Sequence, residues 1–357
     1  MRKDSKQKKN SRGQKNILRR ITFWLSFTVI ASYIILAAVG DWFVHHSREW
    51  MDECRTKWYG FIVNPLIYFG EFPAEITDAF GLTGEDCIYS FDEDPPAGNV
   101  LFKGAPVRTG APCPDDIRIL DRGEFIVGWS PSLRHPVWVA YHVPPKALYN
   151  IEKRPSFQKD KNAPSAPAAG DYAKTGYDRG HMAPNHAIAS RFGEAQQKLT
   201  FLTSNICPQT PALNQGPWCD FELRIADLWA GCYGEIWCIT GAISQNKNAI
   251  SRETLSGTNI DVPEFFYQII AAQSPMDKSG NSQLRTLAIL MPNVIDRRAY
   301  PARYIVSIDE IEKLSGLNFF PDLPSFIEKP MEAQRATRMW PCGLAGAWRL
   351  FAGRFLK

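Results

Sequence analysis

Residues 177–184 read Tyr177-Asp178-Arg179-Gly180-His181-Met182-Ala183-Pro184. A second polar block follows in Ser204-Asn205-Ile206-Cys207-Pro208-Gln209, then Asn214-Gln215-Gly216-Pro217-Trp218 and Glu222. In the first block an arginine and a histidine flank a glycine, whose freedom lets the backbone turn tightly so that guanidinium and imidazole can face one small anion. The second block adds neutral amide oxygens and a carboxylate. A titratable base, a cationic clamp, an oxygen ligand and an acid are the parts that metal-assisted phosphodiester hydrolysis needs.

With Trp138-Val139-Ala140-Tyr141 and Arg154 ahead of them, these blocks resemble the DNA/RNA non-specific endonuclease family, the ββα-metal or His-Me finger nucleases of endonuclease G type. The order matches the family's, and so does the nine-residue step from Asn205 to Asn214, with Glu222 eight residues further on. Val262-Pro263-Glu264-Phe265-Phe266-Tyr267 and Ser307-Ile308-Asp309-Glu310-Ile311-Glu312 also read like family strands and connections. The resemblance spans residues 97 to 330 and leaves the first hundred without a counterpart.

The resemblance implies a role for each residue, and the chemistry agrees. His181 is the expected general base, since a neutral imidazole can take a proton from attacking water. In isolation it would read as a structural histidine. Asn214 is the expected ligand of a single Mg2+ (Mn2+ being possible), a hard cation that keeps several waters and takes few protein oxygens. An asparagine before Gly216-Pro217 could also cap a helix. Glu222 would lie about 12 Å along a straight helix from Asn214, so an outer-sphere role toward metal-bound water fits better than direct ligation. Arg179 and Arg154 would neutralise developing charge on phosphorus. Asp178 is expected to orient Arg179 or the turn, and Asn205 to fix the loop. The family often carries an arginine one turn after the glutamate; here Ala226 stands there and Arg224 is nearby, so that contact is not carried over. His45, His46, His135, His142 and His186 read as surface or core residues. Asp121-Arg122-Gly123, followed by Glu124, reads as a turn before a strand.

The N-terminus is read on physics alone. Residues 1–20 hold nine cations against one acid, Asp4, and residues 21–39 carry no charge. Nineteen apolar positions span roughly 28 Å as a helix, close to the hydrocarbon thickness of a bilayer. Cations before the segment favour a cytoplasmic tail, a single transmembrane helix at 21–39 and a periplasmic or extracellular remainder. Ala37-Ala38-Val39-Gly40 leaves a cleaved signal peptide as the alternative to an anchor. All eight cysteines follow this segment, which suggests at least two disulfides in an oxidising space, or else buried thiols. No Cys-x-x-Cys pair occurs, which argues against structural zinc. The chain is formally +4, but the tail contributes +8, leaving −4 for the remainder. Attraction for phosphate must therefore be local, around Arg154, Arg179, Lys153, Lys159, Lys161 and Lys174.

Residues 41–96 read as an accessory helical segment and linker, and 97–350 as the catalytic domain. Phe125 to Trp129 and Val137 to Val143 predict a β-hairpin. Pro155 to Gly170 predicts an exposed loop, and Glu194 to Leu199 a short helix. Pro217 opens a helix to about Ala230, with Trp218, Phe221, Ile225 and Trp229 on one face. Glu235 to Ile239, Phe265 to Ala271 and Leu287 to Met291 read as central strands, and Asp309 to Leu314 as a helix ended by Gly316. Together they predict an α+β fold with a largely antiparallel sheet. The expected activity is hydrolysis of DNA and RNA through their phosphate backbone. The rivals are a catalytically silent binding protein of the cell envelope and a phosphodiesterase for small nucleotides.

Overall fold

The computed structural model describes residues 86–342 except 92, 97, 152 and 245–252. The basic tail, the apolar segment 21–39 and nearly all of the accessory segment lie outside the described residues. Among those described, no helix is long and apolar enough to cross a membrane.

The strands are β1 (Cys87–Phe91), β2 (Val107–Arg108), β3 (Arg118–Asp121), β4 (Phe125–Ser130), β5 (His135–Val143), β6 (Asp178–His181), β7 (Ile206–Gln209), β8 (Ile236–Ile243), β9 (Phe265–Gln273), β10 (Ser282–Pro292), β11 (Ile305–Val306) and β12 (Leu317–Asn318). The α-helices are α1 (Asn185–Thr200), α2 (Pro211–Asn214), α3 (Pro217–Leu223), α4 (Ala230–Tyr233), α5 (Ile308–Ser315) and α6 (Ser325–Ala333). A π-helical stretch, Arg224–Trp229, joins α3 to α4.

The main sheet runs β1-β10-β9-β8-β5-β4-β3 with β11 added on β10. Its pairings are antiparallel. Strands β5 and β8 are buried along their whole length. Both faces of the sheet are covered, which explains their unbroken apolar runs in place of strict alternation. On one face Trp138, Trp237, Tyr267 and Ile269 pack with Ile311 of α5, Phe319 just after β12 and Met331 of α6. On the other, Trp218 meets Phe266 edge-on at 5.8 Å between ring centres, and Phe221 meets Trp229 at 5.3 Å. The apolar face expected from Trp218, Phe221, Ile225 and Trp229 is buried as a unit.

Several elements differ from their sequence reading. Helix α1 begins at Asn185, directly after the signature, and Gly193 breaks it at φ 86°, where a side chain would be strained. The segment from Pro155 to Gly170 is a mostly exposed loop, as read, but it is anchored at several points. Asp160, Ala163 and Ala166 are buried, and the Trp129 indole donates to the Pro164 carbonyl at 2.8 Å. Asp160 pairs with Arg122, which makes the Asp121-Arg122-Gly123 turn an anchor for that segment. Strand β1 comes from the stretch assigned to the accessory region yet pairs with β10 along five residues. The expected pair of disulfides is overturned: Cys87, Cys113, Cys207, Cys232 and Cys238 are free thiols, so the other three cysteines can close at most one bridge. Four of those five are buried, packed as small apolar side chains.

Between α5 and α6, Asp309, Glu312 and Glu332 place carboxylate oxygens within 4.8 Å of one another. Burial raises Glu312 to about 7 and Glu332 to about 9, reinforced by the neighbouring acids. The unfolded chain gives up these protons near pH 4.5, the folded chain only later, so stability falls as pH rises between about 4.5 and 9. Glu332→Gln should flatten that fall: melting temperatures at pH 6 and pH 9 should differ less for the variant than for the parent.

Candidate active site

Strands β6 and β7 form a separate two-stranded antiparallel sheet across α1, with Gly180 opposite Cys207 and His181 opposite Ile206. Alternation places Asp178 and Gly180 on one face, and Arg179 and His181 on the other. Gly180 is required by close approach: a Cβ there would lie 2.0 Å from the Gln209 side-chain oxygen. The chain leaving His181 is held by Asn205, which is fully buried. Its Oδ1 accepts from the Ala183 amide at 2.8 Å, and its Nδ2 donates to the carbonyls of Ala183 and Thr200, each at 3.0 Å. The Met182 amide donates to the Asn205 carbonyl at 2.9 Å. The loop-fixing role expected for Asn205 thus has a concrete form.

His181 is half-buried between two aromatic rings, 5.3 Å from Phe157 and 4.8 Å from Phe201 between centres. Arg179 stacks over Phe157 at 5.0 Å, and Arg154 over Phe201 at 5.6 Å. The three sequence-predicted groups therefore converge on one aromatic pair. Burial, with Arg154 adding its charge, lowers the imidazole to about 3. His181 is neutral at physiological pH, the state a base requires. Its Nε2 is buried and has no hydrogen-bond partner among the described residues.

Asp178 does not orient Arg179. Its Oδ2 accepts from Asn214 Nδ2 and from Gln215 Nε2, both at 2.8 Å, and so ties the end of α2 to the start of β6. Thr210 caps α2, accepting from the Leu213 amide, and is itself held by Asn293. Buried Asn293 also donates to the carbonyls of Pro208 and Pro263, at 3.1 and 2.9 Å, securing β7 against the end of β10. With its amide nitrogen committed to Asp178, Asn214 has Oδ1 as its uncommitted acceptor.

Glu222 lies on α3, and burial raises its carboxyl to about 8. Its charge contributes to the raised values of Tyr141 on β5 and Cys238 on β8, both of which burial raises most. Arg224 is buried, paired with Asp220 and stacked at 5.4 Å on Tyr300, so it does not replace the missing phosphate contact. His186 Nε2 lies within hydrogen-bond distance of Asp227 Oδ1, at 2.7 Å on the exposed surface, while His135 and His142 are buried. Lys153, Lys159, Lys161 and Lys174 are all exposed.

Sequence reasoning missed Phe157, Phe201 and Asn293. Phe157 and Phe201 carried a weak signal, each being the lone ring in a polar stretch beside a site residue. Asn293 carried none, because its three partners are remote in sequence.

The profile of the DNA/RNA non-specific endonuclease family matches residues 104–326, and the chain belongs to that family of metal-dependent hydrolytic nucleases. It is 28% identical over 226 residues to the mitochondrial nuclease of Saccharomyces cerevisiae, covering 59% of this chain and 68% of that one. It is 26% identical over 243 residues to the mitochondrial endonuclease G of Bos taurus, covering 62% and 79%. A nuclease of Nostoc is 26% identical over 229 residues, covering 61% and 79%. Among solved structures, the complex of EndoG with EndoGI aligns with a TM-score of 0.51 at 24% identity, over 60% of this chain and 90% of that chain. The fold is thus EndoG-like.

Gly180→Ala should force Gln209 aside or open the strand pair, costing about 1–3 kcal/mol in urea unfolding and most of the nuclease activity. Gly170→Ala, where an added Cβ meets nothing within 4 Å, should change neither.

Proposed function

We propose that this chain is a membrane-anchored or exported endonuclease that cleaves DNA and RNA without regard to sugar or sequence, using His181 as general base and one Mg2+ held by Asn214. The observation that carries this reading is the clasp of Asn214 on Asp178, on the short strand that ends in His181. One strand thereby serves both the base and the oxygen donor.

The donor set fits a hard divalent cation. Asn214 Oδ1 is a neutral oxygen donor, and no thiol or second imidazole joins it in this reading. Glu222, held near 8 by burial, would be ionised by a nearby cation and could accept hydrogen bonds from its waters. When bound, such an ion neutralises phosphate oxygens and acidifies water for the leaving group. His181 takes the proton of the attacking water. Arg179 and Arg154 supply guanidinium donors to the phosphate as negative charge grows. Exposed Lys153, Lys159, Lys161 and Lys174 add local attraction to a polyanion. Contacts to phosphate position the substrate but read no bases, which supports action on both nucleic acids.

For location, the cation-rich tail and apolar residues 21–39 support a single-pass anchor with the catalytic domain on the far side of the membrane.

His181→Ala should lower hydrolysis of plasmid DNA and of RNA about 10²–10⁴-fold while leaving the melting temperature near the parent's. Asn214→Ala should be similarly inactive, and a chelator should silence the parent until Mg2+ or Mn2+ is restored. Full activity in either variant, or in excess chelator, would refute the reading. Because His181 is neutral down to about pH 3, the parent's rate between pH 5 and 7 should show no limb from imidazole protonation.

A further inference from the structure

Among the described residues neither Arg154 nor Arg179 has an ion-pair partner, yet both guanidinium groups lie stacked on aromatic rings. Those rings touch each other, with Phe157 and Phe201 centres 4.9 Å apart at 50°. The same two rings flank His181, Phe201 meeting the imidazole edge-on at 77°. The backbone beneath them is fixed: the Gln158 amide donates to the Phe201 carbonyl at 3.0 Å, and the Thr203 amide to the Gln158 carbonyl at 2.9 Å.

We infer that Phe157 and Phe201 are positioning residues, an aromatic cradle that sets His181, Arg179 and Arg154 in fixed relation while leaving the guanidinium donors uncommitted. A carboxylate partner would also fix an arginine, but it would occupy the N–H groups and cancel the charge intended for phosphate. A ring face holds the cation through its quadrupole and consumes no donor. The edge-on contact of Phe201 similarly orients the imidazole without a hydrogen bond to Nε2. Among the described residues, Arg154 is the charged group whose field acts on His181, with Arg179 stacked on the neighbouring ring.

The inference rests on the reading of His181 as base, and its test separates the two. Phe157 is half-buried, so Phe157→Leu keeps apolar bulk while removing the ring; Phe157→Tyr restores the ring. In the full-length chain, Phe157→Leu should lower kcat on plasmid DNA and RNA about tenfold or more, with KM changed less than about threefold. Phe157→Tyr should recover most of kcat. By NMR titration, the His181 imidazole should move up from its depressed value toward 6.5 in Phe157→Leu and remain low in Phe157→Tyr. A structural role alone would lower the melting temperature without moving the imidazole titration. Phe201→Leu, at a fully buried position, should behave likewise if it folds by circular dichroism. Unchanged kcat and unchanged imidazole titration in Phe157→Leu would overturn the cradle, even with His181→Ala inactive. An active His181→Ala would instead overturn the base assignment, and the imidazole titration would still decide the cradle.

Discussion

The carboxylate of Asp178 accepts two hydrogen bonds from side chains on a different element, Asn214 and Gln215, each at 2.8 Å. Removing it would leave the four-residue helix α2 joined to the strand pair mainly by the turn at Thr210. Charge-assisted bonds of this kind are roughly twice as strong as neutral ones, which suits a junction that must hold one amide at a fixed height above a strand. The position of the candidate metal ligand relative to the candidate base therefore depends on a residue three places before that base. A hydrated cation tolerates little misplacement, so the clasp bears more on chemistry than on overall stability.

The strand pair that carries this junction is itself pinned. Gly180 admits the Gln209 side chain, Asn205 binds the backbone on both sides of Ala183, and Asn293 fastens β7 to β10. Behind these lies the sheet, with β5 and β8 buried along their whole length between covered faces. Rigidity thus passes from the core through buried amides to the half-buried catalytic face. The two asparagines are fully satisfied, as buried polar groups must be.

The sequence made the sheet and much of the site legible for physical reasons. Strands buried on both faces write long apolar runs, and Ser307, Glu310 and Gly316 mark the ends of α5 with a capping box and a left-handed cap. His181, Arg179, Asn205 and Asn214 were singled out by a resemblance carried on short motifs in a fixed order. What stayed hidden was tertiary. Asp178 was expected to orient Arg179 or the turn, and the partners its carboxylate shows lie 36 and 37 residues away. The Pro155 to Gly170 stretch has loop composition, yet the Trp129 indole and Arg122 draw it onto the core. The cysteines suggested bridges by number, while burial in separate places keeps most of them as thiols. Phe157 and Phe201 sit 44 residues apart, and nothing short of the fold brings their rings together.

The central claim is that His181 and Asn214 serve one cation. Crystals grown with Mn2+ and measured at its absorption edge locate that ion directly by anomalous scattering. The account predicts a peak within direct coordination distance of Asn214 Oδ1, on the side that faces His181. A peak confined to the Asp309, Glu312 and Glu332 carboxylates, with none beside Asn214, would contradict it.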